Sequence, residues 1–141
     1  QFYNLIPTLN VMENLLLPLE LKKSLDADSQ RRALDILQQV GLEDRSASYP
    51  DRLSGGEQQR VAICRALIHN PLVLLADEPT GNLDAESGRE VLTLLDQLIR
   101  KNRMTALMVT HSTEVSRLAD RVITIKDGRL VETAASTEAV R

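Results

Sequence analysis

Val73-Leu74-Leu75-Ala76 is apolar at every position, and the chain then turns at once to Asp77-Glu78-Pro79. A strand with one wet face alternates apolar and polar residues. An unbroken short apolar run belongs to a strand covered on both faces. Sheets covered on both faces are chiefly parallel, because their crossover helices do the covering. Residues 72–76 are therefore expected to form an inner strand of an α/β fold. The neighbouring segments agree. Ser54-x-x-Glu57 matches a capping box, with an apolar run from Val61 to Ile68 behind it; Asn70-Pro71 ends that helix. Asp84 caps a long helix to about Arg100, with Val91, Leu94, Leu95 and Leu98 facing inward. Residues 105–110 read as a second buried strand, and Ser112 caps a short helix through Ala119. Residues 121–125 and 129–132 read as strands joined by Asp127-Gly128, a strong hairpin pair. Strand, helix, strand, helix, strand is the order of a parallel sheet with crossover helices, here with the hairpin as an antiparallel edge.

The segment before the first strand reads as all-helical. Asn10 caps a short helix over 11–17, and Pro18 opens a connection to Asp28. Residues 29–40 form an amphipathic helix with Ala33, Ile36, Leu37 and Val40 on one face, stopped by Gly41. Residues 44–52 form a polar loop. The expected division is a helical subdomain region over about 10–52, an α/β core over 53–132, and a tail over 133–141.

The chain has 141 residues, with 43% apolar and 26% charged residues, enough for one modest globular domain. No apolar run is long enough to span a bilayer, since Leu15-Leu16-Leu17 is cut by Pro18. A formal charge of −3 with no Lys/Arg cluster argues against a nucleic-acid surface. Cys64 stands alone, so it forms no internal disulfide, and in Val61-Ala62-Ile63-Cys64 it reads as a buried inert thiol.

Chemistry concentrates at a few positions. Ligands in open parallel sheets sit at the carboxyl ends of the strands. Asp77 is placed there to hold Mg²⁺, a hard cation that takes carboxylate oxygens, either directly or through a water. Glu78, one residue on, either orients or deprotonates an attacking water; phosphoryl transfer needs that positioning more than covalent help. Leu53 to Arg60 opens a helix whose free N–H groups and positive dipole end suit a phosphate. Gly55 and Gly56 allow close approach of that phosphate to the backbone. Ser54 Oγ either caps the helix or reaches the phosphate. His111 follows the second strand at the same sheet end as the acids, where it can donate to a phosphate and link it to the base. Asp84 in Gly81-Asn82-Leu83-Asp84 is at least an N-cap. His69 reads as a helix-end residue favouring the dipole, Gln58 and Gln59 as exposed, and Met12, Met104 and Met108 as core filler. The phosphate-wrapping pattern G-x-x-x-x-G-K-[ST] occurs nowhere, so the chain is expected to be part of an ATPase.

Together these residues resemble the nucleotide-binding domain of ATP-binding cassette (ABC) transporters. Leu53-Ser54-Gly55-Gly56-Glu57 looks like the signature motif and Val73 to Glu78 like the Walker B strand. Gly81-Asn82-Leu83-Asp84 looks like the D-loop, His111 like the switch histidine, and Gln1 like the Q-loop glutamine. Tyr3-Asn4-Leu5-Ile6-Pro7 and Thr80-Gly81-Asn82-Leu83-Asp84 are similar to the lipoprotein-release and macrolide-export group. The resemblance implies a partial P-loop NTPase fold with an inserted helical subdomain, lacking the N-terminal portion with the phosphate loop. It implies ATP and Mg²⁺ as cofactors. Asp77 and Gln1 lie toward the metal, Glu78, His111 and Gln1 toward catalysis, and Ser54, Gly55, Gly56, Glu57 and Asp84 toward nucleotide. It implies a homodimer or paired ATPase subunit, head to tail, in which Ser54, Gly55 and Gly56 serve the partner's nucleotide. It also implies an integral membrane permease subunit that holds the protein at the cytoplasmic face of the membrane. The apolar side chains of Leu15, Leu16, Leu17 and Leu19 either line a groove for the permease or pack within the subdomain.

Other readings remain open on sequence alone. A chromosome-maintenance or repair ATPase with a related signature inserts a long coiled coil or other large module between the Q-loop and the signature, whereas only 51 residues separate Gln1 from Leu53 here, with no sustained heptads. A division-associated complex that transmits force without transport is not separable from an exporter. The chain can also be an inactive truncated product.

Overall fold

The computed structural model describes residues 4–133. Gln1, proposed above as a ligand, lies outside the described residues, as does the tail beyond Thr133. The elements run α1 (Val11–Leu21), α2 (Ser29–Gln39), short 3₁₀ turns at Glu43–Arg45 and Pro50–Arg52, α3 (Gly55–Leu67), β1 (Val73–Asp77), α4 (Ala85–Lys101), β2 (Thr105–Val109), α5 (Thr113–Leu118), β3 (Val122–Lys126) and β4 (Arg129–Thr133). This is a mixed α/β architecture with a small parallel sheet, helices and a C-terminal hairpin, as the sequence order predicts.

Helices α1, α2, α3 and α4 share one core. Val11, Leu15, Leu37, Val61, Cys64, Val91 and Leu95 are almost fully buried in it. Leu74 joins the same cluster from β1, with Ala106 and Met108 of β2 packed against it. Leu15, Leu16 and Leu19 are buried here too, so the packing alternative holds for them and they offer no apolar groove. The helix that carries them also continues through Pro18 to Leu21. An interior proline loses one backbone hydrogen bond and costs about 3 kcal/mol. Burial of Leu15, Leu16 and Leu19 on one stripe offsets that cost, so the expected break at Pro18 does not occur.

β1 and β2 pair in parallel, Val73 opposite Thr105 through Asp77 opposite Val109. Only one face of this pair is covered. Leu74 is buried, yet Val73 and Leu75 are 53% and 72% exposed, and Leu107 and Val109 are 58% and 59% exposed. The expectation of strands buried on both faces is thus met on one face among the described residues. The hairpin forms as expected, with Lys126 opposite Arg129 and positive φ at both Asp127 and Gly128. It is a separate two-stranded sheet, not an edge added to β1–β2. Local pattern names a strand, but its neighbour is chosen by non-local contacts, so the expected edge was not decidable locally.

Candidate functional site

The carboxyl end of the parallel sheet gathers the predicted acids. Asp77 closes β1, with an exposed side chain that takes no hydrogen bond from the described residues. Glu78 carries the ladder one step further, its N–H donating to the Val109 carbonyl at 2.9 Å. Its φ of +43° lies in the left-handed region, strained for a residue with a Cβ. That turn swings the side chain across to the segment after β2. There Oε1 accepts the His111 N–H at 2.9 Å, and Oε2 accepts the Thr110 hydroxyl at 3.2 Å. The His111 imidazole is fully exposed, with Nε2 3.9 Å from Glu78 Oε1. The chain returns through Gly81, whose N–H donates to the Glu78 carbonyl at 3.1 Å. A Cβ on Gly81 would sit 3.4 Å from the Glu78 Cβ, so the turn is close but not blocked.

Helix α3 begins as its sequence dictates. Ser54 Oγ accepts the Glu57 N–H at 3.2 Å and Glu57 Oε2 accepts the Ser54 N–H at 2.8 Å, a reciprocal capping box. The cap uses one lone pair of Ser54 Oγ and not the hydroxyl proton, so capping and donation to an anion are compatible roles. Ser54 and Gly55 are exposed. Gly56 is buried toward α4, where a Cβ would lie 3.6 Å from the Ser87 Cβ. Glu57 is held below the usual carboxylate range, first by the Ser54 N–H and further by Arg45, whose Nε lies 3.4 Å from it. A carboxylate donates nothing to a phosphate, so Glu57 acts on the turn by holding it. Asp84 likewise serves as the α4 N-cap. Its Oδ1 accepts from the Glu86 and Ser87 N–H groups at 3.1 and 3.0 Å, which draws its pKa down, the Ser87 bond first.

Several contacts escape the sequence reading. Gln59 is not on an exposed face: its Nε2 donates to the Pro79 carbonyl at 2.6 Å and so ties α3 to the loop behind Glu78. Gln58 Nε2 similarly donates to the Leu53 carbonyl at 3.1 Å. No local pattern marks the Gln59 contact, because Pro79 lies 20 positions away and is brought close by the fold, whereas the Gln58 bond reaches back only five residues. His69 departs from expectation as well. Burial first, then nearby Lys22, pushes its pKa down, and its buried Nδ1 has no hydrogen-bond partner among the described residues. A neutral ring gives the helix dipole no cation. Cys64 matches its reading: it is buried, and burial pushes its thiol up to about 12.

Comparison with known proteins identifies the family. The family model described as ABC transporter matches residues 1–81. The chain belongs to that family. It is 53% identical over 131 residues to the uncharacterized ABC transporter ATP-binding protein Rv0986 of Mycobacterium tuberculosis (strain ATCC 25618 / H37Rv), covering 93% of this chain and 53% of that protein. It is 46% identical to the lipoprotein-releasing system ATP-binding protein LolD of Ruegeria sp. (strain TM1040), over 94% of this chain and 58% of LolD. Among solved structures, the dimeric post-hydrolysis state of the ATP-binding cassette MJ0796 bound to ADP and Pi superposes with a TM-score of 0.79 at 41% identity. That match covers 96% of this chain and 60% of the cassette. The chain therefore spans a little over half the length of each of these three proteins.

Proposed function

We propose that the full-length protein containing this chain is the ATP-binding and ATP-hydrolysing subunit of an ABC transporter, which drives export or lipoprotein-release work through an integral membrane permease. It would lie on the cytoplasmic face of the membrane through that permease. The observation that carries the reading is the strand end, where the Asp77 side chain is exposed with no hydrogen-bond partner among the described residues and Glu78 is bonded to the backbone of His111. Mg²⁺ bound with ATP neutralises charge on the phosphates. Asp77 fits that ion, directly or through a water, because Mg²⁺ is usually held by one or two carboxylates together with waters and phosphate oxygens. Glu78 orients the attacking water and accepts its proton. His111, exposed beside that carboxylate, donates to the terminal phosphate. Gln1 is assigned to the metal and the attacking water by its place in the motif order.

The opening of α3 serves a second nucleotide. Its capping box uses the Ser54 and Glu57 N–H groups. The Gly55 and Gly56 N–H groups are the remaining donors of a positive helix end, which suits a phosphate held by a second subunit. Asp84 stands at the start of α4 nearby, its function in the pair being to order that turn.

The test is Glu78→Gln in the full-length protein. Nucleotide binding is expected to persist while steady-state hydrolysis falls at least about a hundredfold, the scale of a lost general base. Turnover that matches the unaltered protein would remove Glu78 from the reaction.

A further inference from the structure

A carboxylate that works as a base needs its plane fixed as well as its position. An ionised carboxylate offers about four lone-pair directions, and those left unbonded decide where a water can sit. Two bonds orient the Glu78 carboxylate here. One comes from the His111 N–H at 2.9 Å, a main-chain group that substitution leaves in place. The other comes from the Thr110 hydroxyl at 3.2 Å.

Thr110 has little freedom in this role. Its Oγ1 also accepts the Ser112 N–H at 3.0 Å. A hydroxyl has a single proton, so with Ser112 donating to the oxygen that proton is directed at Glu78 Oε2. The resulting chain, Ser112 N–H to Thr110 O–H to Glu78, runs in one sense, and each bond polarises the next. The strained φ of +43° at Glu78 is held from the other side by its N–H bond to Val109. Backbone strain of this kind persists where surrounding bonds over-determine it.

We propose that Thr110 is a positioning residue for the reaction: its hydroxyl sets the rotation of the Glu78 carboxylate and so aims the remaining lone pairs at the attacking water. This rests on the reading of Glu78 as the base. Thr110 touches neither water nor phosphate in this scheme and acts through Glu78.

The experiment compares Thr110→Val, Thr110→Ser and Glu78→Gln in the full-length protein by steady-state ATP hydrolysis. Thr110→Val keeps the β-branched shape and removes the hydroxyl. Its kcat is expected to fall about tenfold, in line with the sensitivity of rate to small misplacements, while KM for ATP stays within about twofold because nucleotide binding does not use this hydroxyl. Thr110→Ser keeps the hydroxyl and is expected to recover most of the lost kcat. Thr110→Ala provides a second hydroxyl deletion if the valine variant does not fold. Hydrolysis by either deletion variant at the rate of Thr110→Ser, or a loss confined to KM, would overturn the positioning role. Those results with Glu78→Gln still stalled leave the base assignment standing. Full turnover by Glu78→Gln would instead overturn the reading beneath it.

Discussion

Glu57 shows how one side chain sets the shape of an anion-facing turn without touching an anion. Its carboxylate holds the Ser54 N–H at 2.8 Å and sits 3.4 Å from Arg45. Both contacts favour the charged form, so the folded protein binds this proton less tightly than the unfolded chain, whose ordinary glutamate value is 4.5. The sign follows from linkage. A depressed carboxylate contributes stability that is present above 4.5 and lost as pH falls through the lower folded value. Glu57→Gln keeps an acceptor for the Ser54 N–H and removes the charge. In the full-length protein, urea unfolding should find this variant less stable than its parent at neutral pH, with the gap closing as pH falls below that of a free glutamate. A gap that stays constant across that range would mean that the charge contributes nothing. The same logic does not extend to Thr110 or Asn14, whose contributions are not proton-linked.

At the scale of elements, α1 depends on a residue that no periodicity marks. Asn14 is completely buried. Its Nδ2 donates to the Ile6, Leu9 and Asn10 carbonyls at 3.1, 2.9 and 3.0 Å, and its Oδ1 accepts the Ile6 N–H at 2.8 Å. One amide thus satisfies the loop that leads into the helix. Removing it orphans buried backbone groups, and their desolvation costs more than the side chain's own transfer. Asn14→Ala should cost the full-length protein about 3 kcal/mol in chemical unfolding. Asn14→Leu, of nearly the same size, should recover little of that, because the Ile6 groups stay unpaired. A leucine variant as stable as the parent would show that volume, not hydrogen bonding, is what the site needs. Legibility divides along the same line. Ser54 with Glu57, Asp84 with Ser87, and Asp127-Gly128 were readable because donor and acceptor lie within a few residues. Gln59 with Pro79, and Glu78 with Thr110, join residues 20 and 32 positions apart, and a single sequence carries no local trace of such pairs. Pro18 misled for the related reason that burial outweighed a local rule.

At the scale of the molecule, the sheet raises the main physical question. The motif order was enough to place Asp77, Glu78 and His111 at one strand end, because a parallel crossover returns each strand to the same edge. It was also enough to anticipate strands with two covered faces, and here one face is bare. Val73, Leu75, Leu107 and Val109 line it, and all are more than half exposed. Two parallel strands with such a face are too few to stand alone in water. The chain covers 60% of the solved cassette it superposes on. In a full-length protein as long as that cassette, further polypeptide would be available to cover this face as a second layer. Leu75 is 72% exposed here, and a substitution at a true surface position changes stability by no more than about 0.5 kcal/mol. If a second layer covers it, Leu75→Asp buries an unpaired carboxylate and should cost about 3 kcal/mol or more in the full-length protein. Glu43→Ala, at an exposed position in the 3₁₀ turn Glu43–Arg45, serves as the control. Urea unfolding of the two variants separates the cases: a near-neutral Leu75→Asp would mean that this face meets solvent in the whole protein, and that the apolar run Val73-Leu74-Leu75-Ala76 has some purpose other than a doubly covered strand.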